Sequence, residues 1–383
     1  MKLTACATLL LATAALLDAA PAKKSVSFGL SNNPNYKPDP VRDLYRAKAK
    51  YAKYLGGVSS FGGSVPVTDH LYDVEYYGSV EVGTPPQKLN LNFDTGSSDL
   101  WFASTLCSSC GTVQNKYDPK KSSTYKAEGK PWKISYGDGS NASGVTAYDS
   151  VNLGGLVIKN QRIELAKQES ESFQKGPADG LVGLAFNNIA TVKGTKTPVD
   201  NLIEQKLISE PIYGVWLGKA KKNGGGEYLF GAVNKSKVGG EFTTVPVDKS
   251  QGFWTINVDD YSVGTGSGLG KFEGIVDTGT TLLVLADSIA AKLAKEFDAK
   301  ETDQGLYSID CKNTKDLTFT IGGTKFVIPA EDAIFVEDQG TCYASFAPSG
   351  SEDFSILGDV FLKNVYTVFD QTVPEVKFAK LKE

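Results

Sequence analysis

The 383-residue chain has a single histidine, His70. That scarcity removes whole reaction classes, because a Ser-His-Asp or Cys-His nucleophile system and an HExxH zinc site each need a suitably placed imidazole. Unless His70 serves, none is available. Cysteine is scarce too, at 5 residues. A chain of this length does not need disulfides simply to fold, so a small disulfide scaffold is excluded. Beyond the N-terminal leader no apolar run reaches the roughly 18 residues that a membrane helix needs. The C-terminal Val376-Lys377-Phe378-Ala379-Lys380-Leu381-Lys382-Glu383 is too polar for a lipid-anchor signal. What is present suits a globular protein: 41% hydrophobic and 10% aromatic residues are too many for the body of the chain to be disordered.

Charge is unevenly distributed. Residues 1–60 carry 9 Lys and Arg against 3 Asp and Glu, which leaves 31 against 41 for residues 61–383. An acidic body is a poor electrostatic match for nucleic acid or an anionic membrane, so neither is expected as a partner. The leader opens Met1-Lys2, runs apolar from Leu3 to Leu17 and ends in small residues at Ala19, Ala20 and Ala22. This predicts a secretory signal over residues 1–20, cut after Ala19, Ala20 or Ala22, and a soluble product outside the cytosol. Cys6 leaves with that signal. Of the three connectivities open to the remaining cysteines, Cys107–Cys110 and Cys311–Cys342 are expected, since each pair lies within one half of the chain. The second contributes roughly 3–4 kcal/mol by loop entropy. A redox or zinc role for Cys107-Ser108-Ser109-Cys110 lacks both a thioredoxin-type context and a second CxxC.

Residues 21–64 read as a basic propeptide. Over Val41–Leu55, Leu44, Tyr51 and Leu55 fall at helical spacing with a cationic opposite face. Gly56-Gly57 and a Gly/Ser-rich stretch to Ser64 follow, as a hinge or cut site. From Val74 onward the pattern is short alternating strands with glycine punctuation, so the class is all-β with a few helices. Two helices stand out: Val199 to Leu207, with Thr197 as N-cap and Pro198 at N1, and one starting near Asp287 with Ile289, Leu293 and Phe297 on one face.

Internal similarity is the most informative feature. Phe93-Asp94-Thr95-Gly96-Ser97-Ser98 recurs as Val276-Asp277-Thr278-Gly279-Thr280-Thr281, and each copy is followed by two apolar residues and a glycine, Leu181-Val182-Gly183 and Ile356-Leu357-Gly358. The chain therefore reads as two homologous halves, expected as lobes 65–245 and 246–383. In each box the glycine lets backbone approach closely and the hydroxyls can orient the carboxylate. If the halves face each other, Asp94 and Asp277 meet and share one proton. The ionised member takes a proton from water while the protonated member polarises a carbonyl.

These boxes, with Leu100-Trp101, Tyr136-Gly137-Asp138-Gly139-Ser140 and Ile356-Leu357-Gly358-Asp359, resemble the pepsin family of aspartic endopeptidases over essentially the whole chain, most of all its secreted fungal members. The resemblance implies a bilobal double β-barrel fold, Asp94 and Asp277 as the catalytic pair, and Ser97 and Thr280 bonded to their outer oxygens, with Thr281 beside them. Thr95 and Thr278 would lock the two loops, and Gly96 and Gly279 would lie against the water. Tyr136, Gly137 and Asp138 would form a flap whose tyrosine approaches Trp101, and Asp138 would admit Lys before the cut beside large apolar side chains. It further implies polypeptide substrates, sensitivity to pepstatin-type inhibitors, a monomer, no metal or cofactor, and a zymogen with a propeptide lysine between the aspartates. Lys50-Tyr51 and Lys53-Tyr54 both offer that pair, and Lys53 is the expected one. Asn234 and Asn141 head glycosylation sequons, the second next to the flap. Secretion is expected, with a vacuole as the alternative. A binding protein on this fold would have damaged boxes, and a glycosidase would need carboxylates roughly 5 Å or more apart.

Overall fold

A computed structural model describes residues 25–32, 39–51, 76–135, 141–174, 178–219 and 224–382. The N-terminal segment supplies a strand, β1 (Val26–Asn32), and a helix, α1 (Pro40–Lys50). After it come β2 (Tyr76–Val82), β3 (Gln87–Asp94), β4 (Leu100–Ala103), the hairpin β5 (Lys126–Ser135) and β6 (Asn141–Leu153), then β7 (Leu156–Glu169) and β8 (Gly180–Gly183). Alternation in β2 and β3 turns Val80, Val82, Leu89, Leu91 and Phe93 inward. Strand pairing runs β2, β3, β8, β4, β7, β6 and returns to β2, closing a six-stranded barrel around that apolar interior.

The second half repeats the key pairing. Phe272–Val276 runs parallel to Ile356–Leu357, as β3 runs parallel to β8, and Leu283–Leu285 is antiparallel to it, as β4 is to β8. The duplicated apolar-apolar-glycine follower is thus the strand beside each aspartate. Its glycine is required by close approach: a Cβ on Gly183 would lie 2.5 Å from the backbone of Ser98 and Asp99, and one on Gly358 would lie 2.3 Å from the Thr280 carbonyl. Between the lobes, strands β9 (Ile212–Leu217) and β10 (Gly226–Phe230) continue into Val365–Asp370 and Glu375–Lys380, and β1 fits between β10 and β2.

The helix read from Thr197 forms as Pro198–Glu204, closed by a capping box in which Thr197 and Asp200 exchange bonds of 2.9 and 3.2 Å. It stops three residues before the expected Leu207, with Gln205 as C-cap and Lys206 at φ 54°. The second expected helix forms as Asp287–Glu296, burying Ile289 and Leu293, with Phe297 buried at its C-cap. Glu171–Gln174 and Asp359–Leu362 are helical as well, each too short to show a periodicity. Disulfides join Cys107 to Cys110 and Cys311 to Cys342. Among the described residues no helix is long and apolar enough to cross a membrane.

Candidate active site

Both Asp-Thr-Gly boxes follow a buried strand directly, so their backbones turn at the same depth between the lobes. Thr95 and Thr278 lock them together reciprocally. Each threonine N–H donates to the other's hydroxyl, at 3.1 and 3.0 Å. Each hydroxyl in turn donates to a carbonyl of the opposite strand, Thr95 to Val276 at 2.8 Å and Thr278 to Phe93 at 2.9 Å. All these groups are buried. Thr278→Val leaves the Thr95 N–H unpaired, at about 1–3 kcal/mol, and takes one of two donors from the Phe93 carbonyl, which keeps the Tyr228 hydroxyl at 3.2 Å. A lower denaturant midpoint is expected for that variant, with Thr278→Ser close to the parent.

The carboxylates are held in matched fashion. Gly96 N–H donates to Asp94 Oδ1 at 2.8 Å and Gly279 N–H to Asp277 Oδ1 at 2.9 Å; Ser97 and Thr280 hydroxyls donate to the respective Oδ2 atoms, each at 2.5 Å. A Cβ on Gly279 would lie 2.2 Å from Asp94 Oδ1, and one on Gly96 would lie 2.7 Å from the Asp277 carboxyl carbon. Only glycine leaves the two acids room to share one ligand. Below them, Leu184 N–H donates to the Asp94 carbonyl, and the Leu184 carbonyl accepts from Trp254 Nε1 and the Tyr213 hydroxyl, each at 3.1 Å.

The shared ligand is the ammonium of Lys50. Its Nζ lies 2.5 Å from Asp94 Oδ1 and 3.0 and 2.9 Å from Asp277 Oδ1 and Oδ2. Tyr51 donates to Asp277 Oδ2 at 2.9 Å, its ring 5.1 Å from Phe253 and 4.9 Å from Phe354. This corrects the expectation of Lys53, which lies outside the described residues. The reason is the register of α1: Leu44, Ala47 and Tyr51 are buried, which delivers the lysine just before Tyr51 to the dyad.

Burial and the charge of Asp277 push Asp94 up to about 6, against the pull of Lys50. Asp277 is also penalised by burial, but the Lys50 ammonium and the Thr280 hydroxyl outweigh that and hold it below the ordinary range. Burial pulls Lys50 down, and the two carboxylates more than reverse it. With Lys50 seated on it, the pair therefore takes its first proton on the Asp94 side while Asp277 remains ionised.

Trp101 is buried, and its indole N–H has no acceptor among the described residues. Tyr136, Gly137 and Asp138 lie outside those residues; the strands on either side pair out to Ser135 and Asn141. Thr281 carries its carbonyl to the N–H of Val360. Asn141 opens β6, where its N–H donates to Ser170. Asn234 donates from Nδ2 to Glu227 and accepts from the Ser236 hydroxyl at 2.6 Å. Sequence reading did not find Phe253, Phe354, Trp254 or Tyr213, since each is an isolated aromatic whose role depends on the fold.

Two carboxylates on loops locked across a pseudo-twofold axis, able to share one proton over one ligand, define an acid-base pair for direct hydrolysis. The eukaryotic aspartyl protease family pattern matches residues 75–381, and the chain belongs to that family as a pepsin-type aspartic endopeptidase. It is 53% identical to rhizopuspepsin of Rhizopus chinensis over 97% of each chain. It is 52% identical to syncephapepsin of Syncephalastrum racemosum, over 97% of this chain and 98% of that one. Vacuolar protease A of Neurospora crassa is 36% identical, over 83% of this chain and 81% of the relative.

Proposed function

We propose that this acid aspartic endopeptidase is made as a secreted zymogen that removes its own leader. In this reading residues 1–20 are the signal, 21–64 the propeptide, and 65–245 and 246–383 the two lobes. The observation that carries it is the Lys50 ammonium seated on both carboxylates. A water held between the acids would need the same place, so the docked leader excludes the nucleophile. α1 adds to this by burying Leu44, Ala47 and Tyr51 against the second lobe beside Phe253, Leu282 and Phe335. Once the leader departs, the two carboxylates share one proton, and the ionised member takes a proton from water while the protonated member polarises the scissile carbonyl. The propeptide is then the first partner, and polypeptide substrates and pepstatin-type inhibitors follow it into the cleft of a monomer.

Acid treatment of the full-length chain, with N-terminal sequencing of the product and of the fraction it came from, tests the reading. A new N-terminus between Gly56 and Val67, on protein recovered from the medium, is expected. Full activity at neutral pH with the leader intact overturns it. Recovery from the vacuole would favour the destination suggested by the name of vacuolar protease A.

Large apolar residues at the cut are the preferred substrates, with Lys admitted before it through Asp138 on the flap. Asp138→Thr is expected to lose turnover of Lys substrates, trypsinogen activation included, while Phe substrates are spared. An equal effect on both would sink the assignment. Asn234 is the favoured glycan acceptor, its Ser236 hydroxyl already bonded to the amide oxygen, whereas a glycan on Asn141 would stand at the base of the flap.

A further inference from the structure

Glu164 is a buried acid that the hydrolytic chemistry does not use. It lies midway along β7, opposite Thr146 of β6 on one side and Trp101 of β4 on the other, and is 1% exposed. Neither of its carboxyl oxygens receives a hydrogen bond from a described residue, so a charge there would be left uncompensated. Its neighbours are a second acid, two hydroxyls and a cation already engaged. Asp99, two residues before Trp101, is 2% exposed, and its Oδ1 accepts from the Thr191 N–H at 2.9 Å and the Thr191 hydroxyl at 3.0 Å. Thr146 Oγ1 accepts from the Lys130 N–H at 3.2 Å. Arg162, on the same face of β7, spends its guanidinium on Glu128 at 2.7 and 2.9 Å, on Thr195 and on the Tyr148 hydroxyl, and Lys130 holds Glu128 from outside. Donors therefore satisfy Asp99 as a carboxylate, and the proton between the two acids sits on Glu164. Burial and the Asp99 charge raise Glu164 well above its ordinary value, against the weaker pull of Arg162 and Thr191. Asp99 also ends the first box. Just before it, Ser97 holds Asp94 Oδ2, Ala185 N–H donates to the Ser97 carbonyl, the Ser98 hydroxyl donates to the Phe186 carbonyl, and Gly183 N–H donates to the carbonyl of Asp99 itself.

We propose that Glu164 and Asp99 are a proton-operated lock in the first lobe: sharing one proton they hold the Ser97–Asp99 segment behind Asp94, and release of that proton to solvent toward neutral pH sets two buried charges against each other, unseats the segment and ends activity. The lock does not involve the leader. A proton that the native state keeps and the unfolded chain releases makes unfolding easier by up to about tenfold per unit of pH, from the ordinary glutamate value of 4.5 upward. Glu169, pushed up to about 7 by burial in the same lobe, adds its own slope, so the lock is read as a difference between variants.

The test shifts active enzyme recovered from acid to pH 7 and assays samples at pH 4 over time, as a fraction of each variant's own starting activity. Tryptophan fluorescence follows unfolding, and gels follow self-digestion. Glu164→Gln keeps a donor to Asp99 and cannot ionise; Asp99→Asn offers Glu164 a donor and removes the opposing charge. Each is expected to lengthen the half-life at pH 7 by at least about tenfold, while the urea midpoint at pH 4.5 stays level or falls. A gain confined to the neutral side is what a shared proton requires and what a change in packing does not produce. A Glu164→Gln half-life no longer than that of wild type overturns the proposal, as does an equal shift of the urea midpoint at pH 4.5 and pH 7. Asp99→Asn decides in the same way if Glu164→Gln does not fold. Should Glu169→Gln alone lengthen the half-life, the sensitive group is Glu169 and the lock falls.

Discussion

Asp277→Asn, and equally Asp94→Asn, is expected to reduce peptide hydrolysis by at least about 10²–10⁴-fold and to leave the leader uncut in acid. Asparagine keeps the shape, its amide oxygen still accepting from the glycine N–H while its NH2 turns to the hydroxyl oxygen in place of the second carboxylate oxygen. What it removes is the ability to hold or release a proton. In Asp277→Asn the like charge that helps raise Asp94 also disappears, so Asp94 should titrate lower than about 6 with the leader docked. Kinetics on a peptide substrate measure the first effect, and incubation with a trace of wild-type enzyme the second. The uncut variant should be trimmed in trans if only its own chemistry is missing. Hydrolysis at a rate near that of wild type in either variant would remove the aspartates from the mechanism.

How much of this was legible in advance differs from residue to residue, for physical reasons. The duplicated boxes were legible because each step of their chemistry restricts residue type: a carboxylate, a hydroxyl to orient it, and a glycine where a Cβ would strike the opposite acid. The follower glycines were legible as a repeat, although why they are glycine emerged only when the Ser98 and Thr280 backbones were seen crossing them. Thr197 and Pro198 marked their helix because caps act locally. The support under the dyad was not legible. Trp254, Tyr213 and Leu184 are distant in sequence and meet through two lobes folded together, which no periodicity records. The choice between Lys50 and Lys53 was open by motif alone and closed by register. One helical turn before Lys50 stands Ala47, and before that Leu44, both buried. The corresponding positions before Lys53 are Lys50 and Ala47, which would press a charged side chain into the apolar groove. Counting back two turns from each lysine contained the answer.

Lys50→Ala should therefore release the leader at neutral pH, while Lys53→Ala should not. Docking and protonation oppose each other here: the ammonium favours the ionised form of both acids, so by reciprocity each proton they bind weakens the ammonium's hold. With Lys50 in place Asp94 titrates near 6 and Asp277 below the ordinary range. Asp94 is half neutralised near pH 6, and because Lys50 lowers it from a higher undocked value the attraction is complete only well above that pH. As the pH falls through that value Asp94 is neutralised first, and the remaining pairing with Asp277 is lost further into acid. Lys50 stays charged throughout, its proton held more tightly than usual. Removing it buries two carboxylates with no counter-charge, a loss of about 3–5 kcal/mol for a buried network, or roughly two to three and a half orders of magnitude in docking. The effect is largest at neutral pH and shrinks in acid, where the wild-type leader also lets go. Peptide turnover by freshly purified full-length protein across pH 4–7.5, with gel analysis of leader integrity, reads this directly. A Lys50→Ala chain that stays silent and intact at pH 7, or a Lys53→Ala chain that does not, would show that latency rests on some contact other than the ammonium between the acids.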